Sequence, residues 1–374
     1  MTAAPVEPAG GRRPRRSLLA SIAVPLLDTL THPHGPDRYL EMVNPAWSTR
    51  AVRAEITKVR HRSPDSVTLL ARPNRIWRGF RAGQHVALTT DIGGVRRSRC
   101  YSIVSSEHGP ARQLEFTVHA EPSGLVSNHL QGVRAGTVVG LSQALGPFTL
   151  PDERPDQVLL ISGGSGITPV LSILRTLRDE GRARSVTFLH YARTAGAVAY
   201  RDELDELAAS GVRVLRSYTR GEGGELSGRF DPSHLTGVPA DVPAWVCGPA
   251  TLVEAVREQW DRPAELRTEH FTPPTPMAPV IDIGKPTGEV VFAGSDRHAG
   301  NTRAPNSGVP LLEQAEAAGL RPAFGCRMGI CFTCTRRKTA GTVRRIDTGA
   351  LSAEPHSDIQ LCVTVPVGDV TVEL

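Results

Sequence analysis

Residues 324–334 read FGCRMGICFTC, and they place Cys326, Cys331 and Cys334 within nine residues of a 374-residue chain that has six cysteines in all. The spacing is C-x4-C-x2-C, and a fourth cysteine, Cys362, follows after 27 more residues. That is the plant-type spacing of four thiolates around a [2Fe–2S] cluster. A loop that turns several thiolates toward one point needs permissive backbone, which Gly325 and Gly329 supply. Their N–H groups can then turn toward sulfur. A four-cysteine zinc site is an alternative, although such sites usually pair C-x2-C with C-x2-C. A cytosolic disulfide pair is a weaker one.

The flanks of this loop predict a small α+β unit. EVVF (289–292) and VTVPVGDVTVEL (363–374) read as strands, and SGVPLLEQAEAAGL (307–320) reads as a helix opened near Ser307 and closed by Gly319. Upstream, FTPPTPMAPVIDIGKP (271–286) is Pro-rich and reads as a linker.

Before that linker, strands alternate with helices. QVLLIS, SVTFLHYA, VRVLRSYT and AWVCG are short apolar strands; TPVLSILRTLRDEG, YRDELDELAAS and ATLVEAVREQW are helical between and after them. Such alternation predicts a parallel α/β sheet. GGSGITP (163–169) joins its first strand to its first helix, with Gly163, Gly164 and Gly166 ahead of Thr168 and Pro169. Glycines let backbone approach a phosphate, and a helix N-terminus offers it N–H groups and a positive dipole end. The second strand ends at Arg193, and Arg201 opens the next helix. An arginine at that strand tip suits the 2′-phosphate of NADPH, whereas NADH sites usually offer Asp or Glu. The charge argument favours NADPH over NADH.

Further upstream, AVRAEITKV, SVTLLAR, GQHVALTT, QLEFTVHA and GTVVGLSQ are β-rich runs separated by turn residues. They predict a small antiparallel barrel. Its run RSRCYSI would point Arg99 and Tyr101 one way, and Cys100 and Ser102 the other. An arginine for phosphate, an aromatic for a flat ring and a hydroxyl for a ring nitrogen suit a flavin.

Composition agrees with a globular protein. The chain is 40% hydrophobic and 22% charged, its net charge is +5, and no basic stripe is interleaved with aromatics to suggest nucleic-acid binding. No apolar run reaches the roughly 20 residues of a membrane-spanning helix. The N-terminal GRRPRRSLLASIAVPLLDTL joins Arg12, Arg13, Arg15 and Arg16 to an apolar run, Ser17 to Leu27. A secretion signal would show a cleavage site where THPHGPD stands. The remaining readings are a basic tail leading into a helix that packs on the body, or a surface that leans on anionic lipid or a membrane-bound partner.

Taken together, residues 51–272 resemble the ferredoxin–NADP reductase superfamily. The resemblance rests on R-x-Y-S at Arg99 to Ser102, GLVSNHL at Gly124 to Leu130, GGSGITP, and VCGPA at Val246 to Ala250, in that order. Residues 286–374 resemble a plant-type ferredoxin. The resemblance implies five segments: an N-terminal extension (1–50), a flavin barrel (51–152), an NAD(P) unit (153–272), a linker (273–285) and a β-grasp ferredoxin (286–374). It implies that Arg99 binds flavin phosphate, that Tyr101 contacts the isoalloxazine and that Ser102 hydrogen-bonds near N5, with Cys100 on the same strand. His119 stands where a basic residue often precedes the phosphate loop. Gly124, Val126 and Ser127 would hold the flavin phosphates, favouring FAD over FMN. Cys247, Gly248 and Pro249 would lie near the nicotinamide, and Glu269 and Phe271 would close the site. Ser102, Cys247 and Glu269 are the expected catalytic residues, and Cys326, Cys331, Cys334 and Cys362 the cluster ligands.

The expected activity carries electrons from NADPH through flavin to the cluster and on to an oxygen-dependent partner, in the cytoplasm or at the inner face of the cell membrane. LLDTLTHPHGPDRYLEMVNPAWS (26–48) resembles the extension of actinobacterial reductases that serve membrane acyl-CoA (stearoyl-CoA Δ9) desaturases. A Rieske-type oxygenase or another hydroxylase is the alternative acceptor. A redox-sensing iron–sulfur module is an alternative of another class.

Overall fold

The computed structural model describes residues 36–63, 65–110, 112–121, 124–262, 264–269, 286–294, 300–324, 329, 333–346 and 349–374. The linker expected at 273–285 and the Arg12–Leu27 segment lie outside the described residues, as do Phe271, Cys326 and Cys331.

Six antiparallel strands form the first sheet: β1 (Val52–Ser63), β2 (Ser66–Pro73), β3 (His85–Ile92), β4 (Val95–Ser102), β5 (Leu114–His119) and β6 (Val138–Leu141). Their order is β4-β3-β6-β1-β2-β5. Just past β4, Val104 N–H donates to Glu115 O of β5 at 2.8 Å and brings the two edges together. Alternation of small and large apolar residues fills the interior with Ala54, Ile56, Leu69, Leu88, Phe116 and Val118.

The second sheet is parallel, in the order β10-β9-β8-β7-β11-β12. It comprises β7 (Val158–Gly163), β8 (Val186–Ala192), β9 (Arg213–Tyr218), β10 (Leu226–Ser227), β11 (Ala244–Cys247) and β12 (Leu266–Glu269). Helices Ile167–Asp179, Arg201–Ala209 and Ala250–Glu258 connect these strands. The first begins one residue before the expected Thr168, with Pro169 inside its first turn, where its missing N–H costs nothing. Central strands buried on both faces read as continuous apolar runs, and β7 is buried at every position. The short strands β10 and β12 lie at the two edges and escape periodicity because each offers too few residues.

The two units share a core. Ala82, Val104, Phe148 and Leu150 of the barrel side join Leu160, Ile173, Phe188 and Trp245 in one buried cluster. Trp245 Nε1 donates to Thr149 O at 3.2 Å, and Ser172 Oγ to Ser105 O at 2.6 Å. These contacts fix helix Ile167–Asp179 against the loop that leaves β4.

The third sheet runs β14-β13-β18-β15-β16, with β17 also on β15. Its strands are β13 (Glu289–Ala293), β14 (Thr302–Pro305), β15 (Thr335–Arg345), β16 (Leu351–Ser352), β17 (Ser357–Gln360) and β18 (Thr364–Glu373). Helix Leu311–Ala317 packs on it through Leu311, Leu312 and Ala315. That helix starts later than Ser307 because Pro310 takes the N-cap position in extended conformation, and Gly319 follows its end at φ +80°.

Candidate functional site

The barrel and the parallel sheet meet where β4, β11 and β12 end. Ser102 closes β4 and is 4% exposed. On the neighbouring β3, its register partner is His85, also buried. Cys247 closes β11, and Glu269, its register partner, closes β12. His85 Nδ1 lies 3.4 Å from Glu269 Oε1, so a barrel imidazole and a carboxylate of the other sheet face each other across the seam. Gly146, at φ +113°, leaves room for that imidazole, since a Cβ there would lie 3.0 Å from Nδ1. Burial, then the Glu269 charge, pushes the Cys247 thiol well up, so this cysteine stays protonated.

Two buried oxygens at this seam, Ser102 Oγ and Glu269 Oε2, have no hydrogen-bond partner among the described residues. An orphaned buried oxygen is costly unless something else bonds it. Their placement on two sides of one junction fits a polar ring system between them. The strand pattern agrees: Arg99 is exposed, while Cys100 and Tyr101 are half-buried. Burial raises the Tyr101 phenol above its ordinary range, keeping the ring neutral.

The glycine-rich turn packs against the VCGPA segment. A Cβ on Gly166 would lie 2.7 Å from Gly248 Cα, and one on Gly163 would lie 3.0 Å from Pro249 Cδ. Only glycine permits this approach, which sets the N-terminus of helix Ile167–Asp179 beside Cys247. Thr168 Oγ1 donates to Ser165 O at 3.0 Å. Gly164 takes φ +53°.

Arg193 and Arg201 are both exposed, beyond the end of β8 and at the start of the next helix. Beside Arg193 stands Arg220, whose N–H donates to the Arg193 carbonyl at 2.8 Å. None of the three guanidinium groups has an ion-pair partner among the described residues. Arg220 was not among the expected site residues; its signal is that it follows β9 as Arg193 follows β8.

Around the phosphate segment, Ser127 is buried, and its hydroxyl accepts from Glu121 N–H at 3.2 Å and donates to Gly124 O at 3.1 Å. Val126 packs inward. His119 is exposed, with Nε2 3.4 Å from Asp65.

In the third unit, the Cys334 and Cys362 sulfurs lie 3.2 Å apart. Two thiolates about 2.3 Å from one tetrahedral metal sit within about 4 Å of each other, so this convergence fits shared ligation. Gly329, at φ +74°, donates its N–H to Cys362 Sγ at 3.3 Å. Its carbonyl accepts from Gln360 Nε2 at 2.6 Å, and Gln360 Oε1 accepts from Arg345 at 2.9 Å. Neither Gln360 nor His85 stood out in the sequence, because strand pairing alone brings them to their sites.

Known proteins match in the same order as these units. Models of an oxidoreductase FAD-binding domain, an oxidoreductase NAD-binding domain and a 2Fe-2S iron-sulfur cluster binding domain match residues 59–150, 160–258 and 297–367. An NADPH oxidoreductase of Mycobacterium tuberculosis is 36% identical over 96% of this chain and 92% of its own. The chain belongs to the ferredoxin–NADP reductase-type flavoproteins with a C-terminal [2Fe–2S] domain. A glycine betaine monooxygenase reductase subunit of Pseudomonas aeruginosa is 29% identical to this reductase, covering 79% of it and 87% of the relative. The crystal structure of phthalate dioxygenase reductase shares the reductase's fold at TM-score 0.59 and 22% identity, covering 86% of it and 97% of that structure. The protein is thus an NAD(P)H-dependent flavin and [2Fe–2S] oxidoreductase. No helix among the described residues is long and apolar enough to cross a membrane.

Proposed function

We propose that the reductase draws electrons from NADPH at the seam between the first two units and delivers them to a membrane acyl-CoA desaturase through its C-terminal cluster. Bound flavin supplies the step that joins a two-electron nucleotide to a one-electron cluster. The pair of orphaned oxygens, Ser102 Oγ and Glu269 Oε2, carries the seam assignment.

In this reading Ser102 would hydrogen-bond the edge of a bound flavin, and Tyr101 would contact its ring. Arg99 neutralises a flavin phosphate, with Gly124 to Ser127 shaping the turn beside it. The neutral, buried Cys247 would lie near the nicotinamide, and Gly163 to Gly166 would admit the nucleotide pyrophosphate. Glu269 would orient the reacting rings, facing His85 at 3.4 Å across the seam. Arg193, Arg201 and Arg220 receive the 2′-phosphate. Cys326, Cys331, Cys334 and Cys362 ligate the cluster. No side chain need act as a nucleophile.

The desaturase assignment rests on the sequence of the N-terminal extension. It is tested with membranes that contain a stearoyl-CoA desaturase but lack its reductase. Added protein and NADPH should restore desaturation. Failure there, with turnover restored to a soluble Rieske-type oxygenase instead, would move the acceptor to that class.

A further inference from the structure

Helix Pro36–Val43 carries its polarity inside out. Asp37 turns toward the body, where its carboxylate accepts from Ser48 Oγ at 2.7 Å, Thr49 N–H at 2.7 Å and Thr49 Oγ1 at 2.6 Å. Burial would raise the Asp37 pKa, but the bonds from Thr49 and Ser48 outweigh it and hold the group below its usual range. Glu41 pairs with Arg53 at the start of β1. Asn74 of the barrel completes the anchor by donating to Ala46 O and Ala51 O.

The apolar residues take the opposite side. Tyr39, Met42 and Val43 follow i, i+3, i+4 spacing and so form one stripe. They are 49%, 80% and 74% exposed, and Trp47 on the next turn is 50% exposed. A helix lying on a protein in water buries such a stripe and exposes its acids. Single exposed apolar residues are ordinary, but four large ones within nine residues form a patch that calls for a partner.

We infer that this stripe seats on an anionic membrane surface. Trp and Tyr are the side chains of a bilayer interface, and Met and Val suit the shallow acyl region beneath it. The 35 residues that precede the helix carry Arg12, Arg13, Arg15 and Arg16 and then the apolar run Ser17 to Leu27. An anionic bilayer uses both features at once. A second copy of the chain, or the Ser17–Leu27 segment folded back, would cover the stripe but leave the four arginines without a counter-charge. The inference stands apart from the acceptor's identity, since it concerns only where the reductase rests.

The test is co-sedimentation of the full-length holoprotein with vesicles of phosphatidylcholine, with and without phosphatidylglycerol. Wild type should bind the phosphatidylglycerol vesicles, and added salt should weaken binding. Met42→Ser with Val43→Ser should weaken it by about ten-fold or more. Flavin content and NADPH–ferricyanide activity should stay unchanged, because the stripe holds none of the proposed cofactor residues. The Trp47 fluorescence, isolated as the difference from Trp47→Phe, should shift to the blue on vesicles. Wild type that ignores both vesicle types overturns the inference, as does a double variant that binds as wild type does. A dimer that the double variant dissolves, without vesicle binding, would assign the stripe to a second copy. Increased binding of an apolar dye after removal of residues 1–35, again without vesicle binding, would assign it to the chain's own segment.

Discussion

Tyr200 of the parallel-sheet unit donates its phenolic hydrogen to Glu115 of the barrel at 2.8 Å. It also meets Thr117 Oγ1. The Arg62 guanidinium lies over its ring, 4.3 Å from the centroid, and so does that of Arg175, at 5.2 Å. Arg175 in turn bridges Glu203 at 2.7 Å and Glu115 at 3.3 Å. Tyr200 sits at φ +61°, a conformation a bulky residue adopts only when its surroundings hold it there. One tyrosine therefore pins the loop that carries Arg193 and Arg201 to the flavin side of the seam.

Loosening this pin should change both geometry and affinity. Tyr200→Leu should slow NADPH-driven flavin reduction by about ten-fold or more, since small misplacements of reacting groups are costly. Tyr200→Phe, which keeps the ring and loses the hydroxyl, should fall between. Stopped-flow absorbance gives both the limiting rate and the NADPH dissociation constant, and the latter should rise as well, because the loosened loop carries the arginines proposed for the 2′-phosphate. An unchanged limiting rate would make Tyr200 ordinary packing.

Nucleotide choice is a question of charge. Charge-assisted contacts with the 2′-phosphate are worth roughly 1.5–3 kcal/mol. Arg193→Ala should raise the NADPH KM by about ten-fold or more and leave the NADH KM nearly untouched. Arg220→Ala should act in the same direction. If neither variant changes NADPH kinetics, the contact shifts to Arg201.

Stability should fall in mild acid because of His190. This residue is buried in the parallel sheet, 2.7 Å from Ser162 Oγ. Burial, then the Arg216 charge, lowers its pKa from 6.5 to about 4. A base whose folded pKa is depressed is neutral in the fold but takes up a proton when unfolded. Its contribution is thus full above pH 6.5 and is lost as pH falls from 6.5 toward 4, by roughly 3 kcal/mol at most. Urea midpoints at pH 7 and pH 4.5 should therefore differ more for wild type than for His190→Gln. Equal differences would show that His190 is protonated in the fold.

The three-unit architecture was legible because each unit carries a periodic signal: antiparallel alternation, strand–helix alternation, and cysteine spacing. The glycine turn was legible because close backbone approach demands glycine, as the packing of Gly163 and Gly166 on Gly248 and Pro249 shows. His85, Tyr200, Arg220 and Gln360 were not, since none has a local pattern. His85 matters because β3 pairs with β4 and meets Glu269 across the seam, and Tyr200 because the seam brings it to β5. Such roles arise from pairings between segments far apart in the chain. The outward apolar stripe was hidden differently: the letters DRYLEMV do not say which side faces the body, and only the contacts of Asp37 and Glu41 show that the acids turn inward.

Gln360 should tune the cluster without ligating it. It holds the Gly329 carbonyl while the Gly329 N–H points at Cys362 Sγ. Gln360→Leu should loosen that peptide and weaken the bond to sulfur, which shifts the cluster potential to more negative values. An EPR-monitored redox titration measures this. A potential unchanged from wild type, with iron fully retained, would leave Gln360 with a packing role only.

The central claim is that the flavin and the cluster act in series, with the cysteines at 326, 331, 334 and 362 holding the second centre. It is tested most directly by anaerobic NADPH reduction of wild type and Cys362→Ser, followed by EPR and flavin absorbance together. Wild type should bleach its flavin and give the signal of a reduced [2Fe–2S] cluster. The variant should bleach its flavin at the normal rate, give no cluster signal, and reduce ferricyanide but not cytochrome c. An intact cluster signal in Cys362→Ser, or cytochrome c reduction at the wild-type rate without one, would contradict the account.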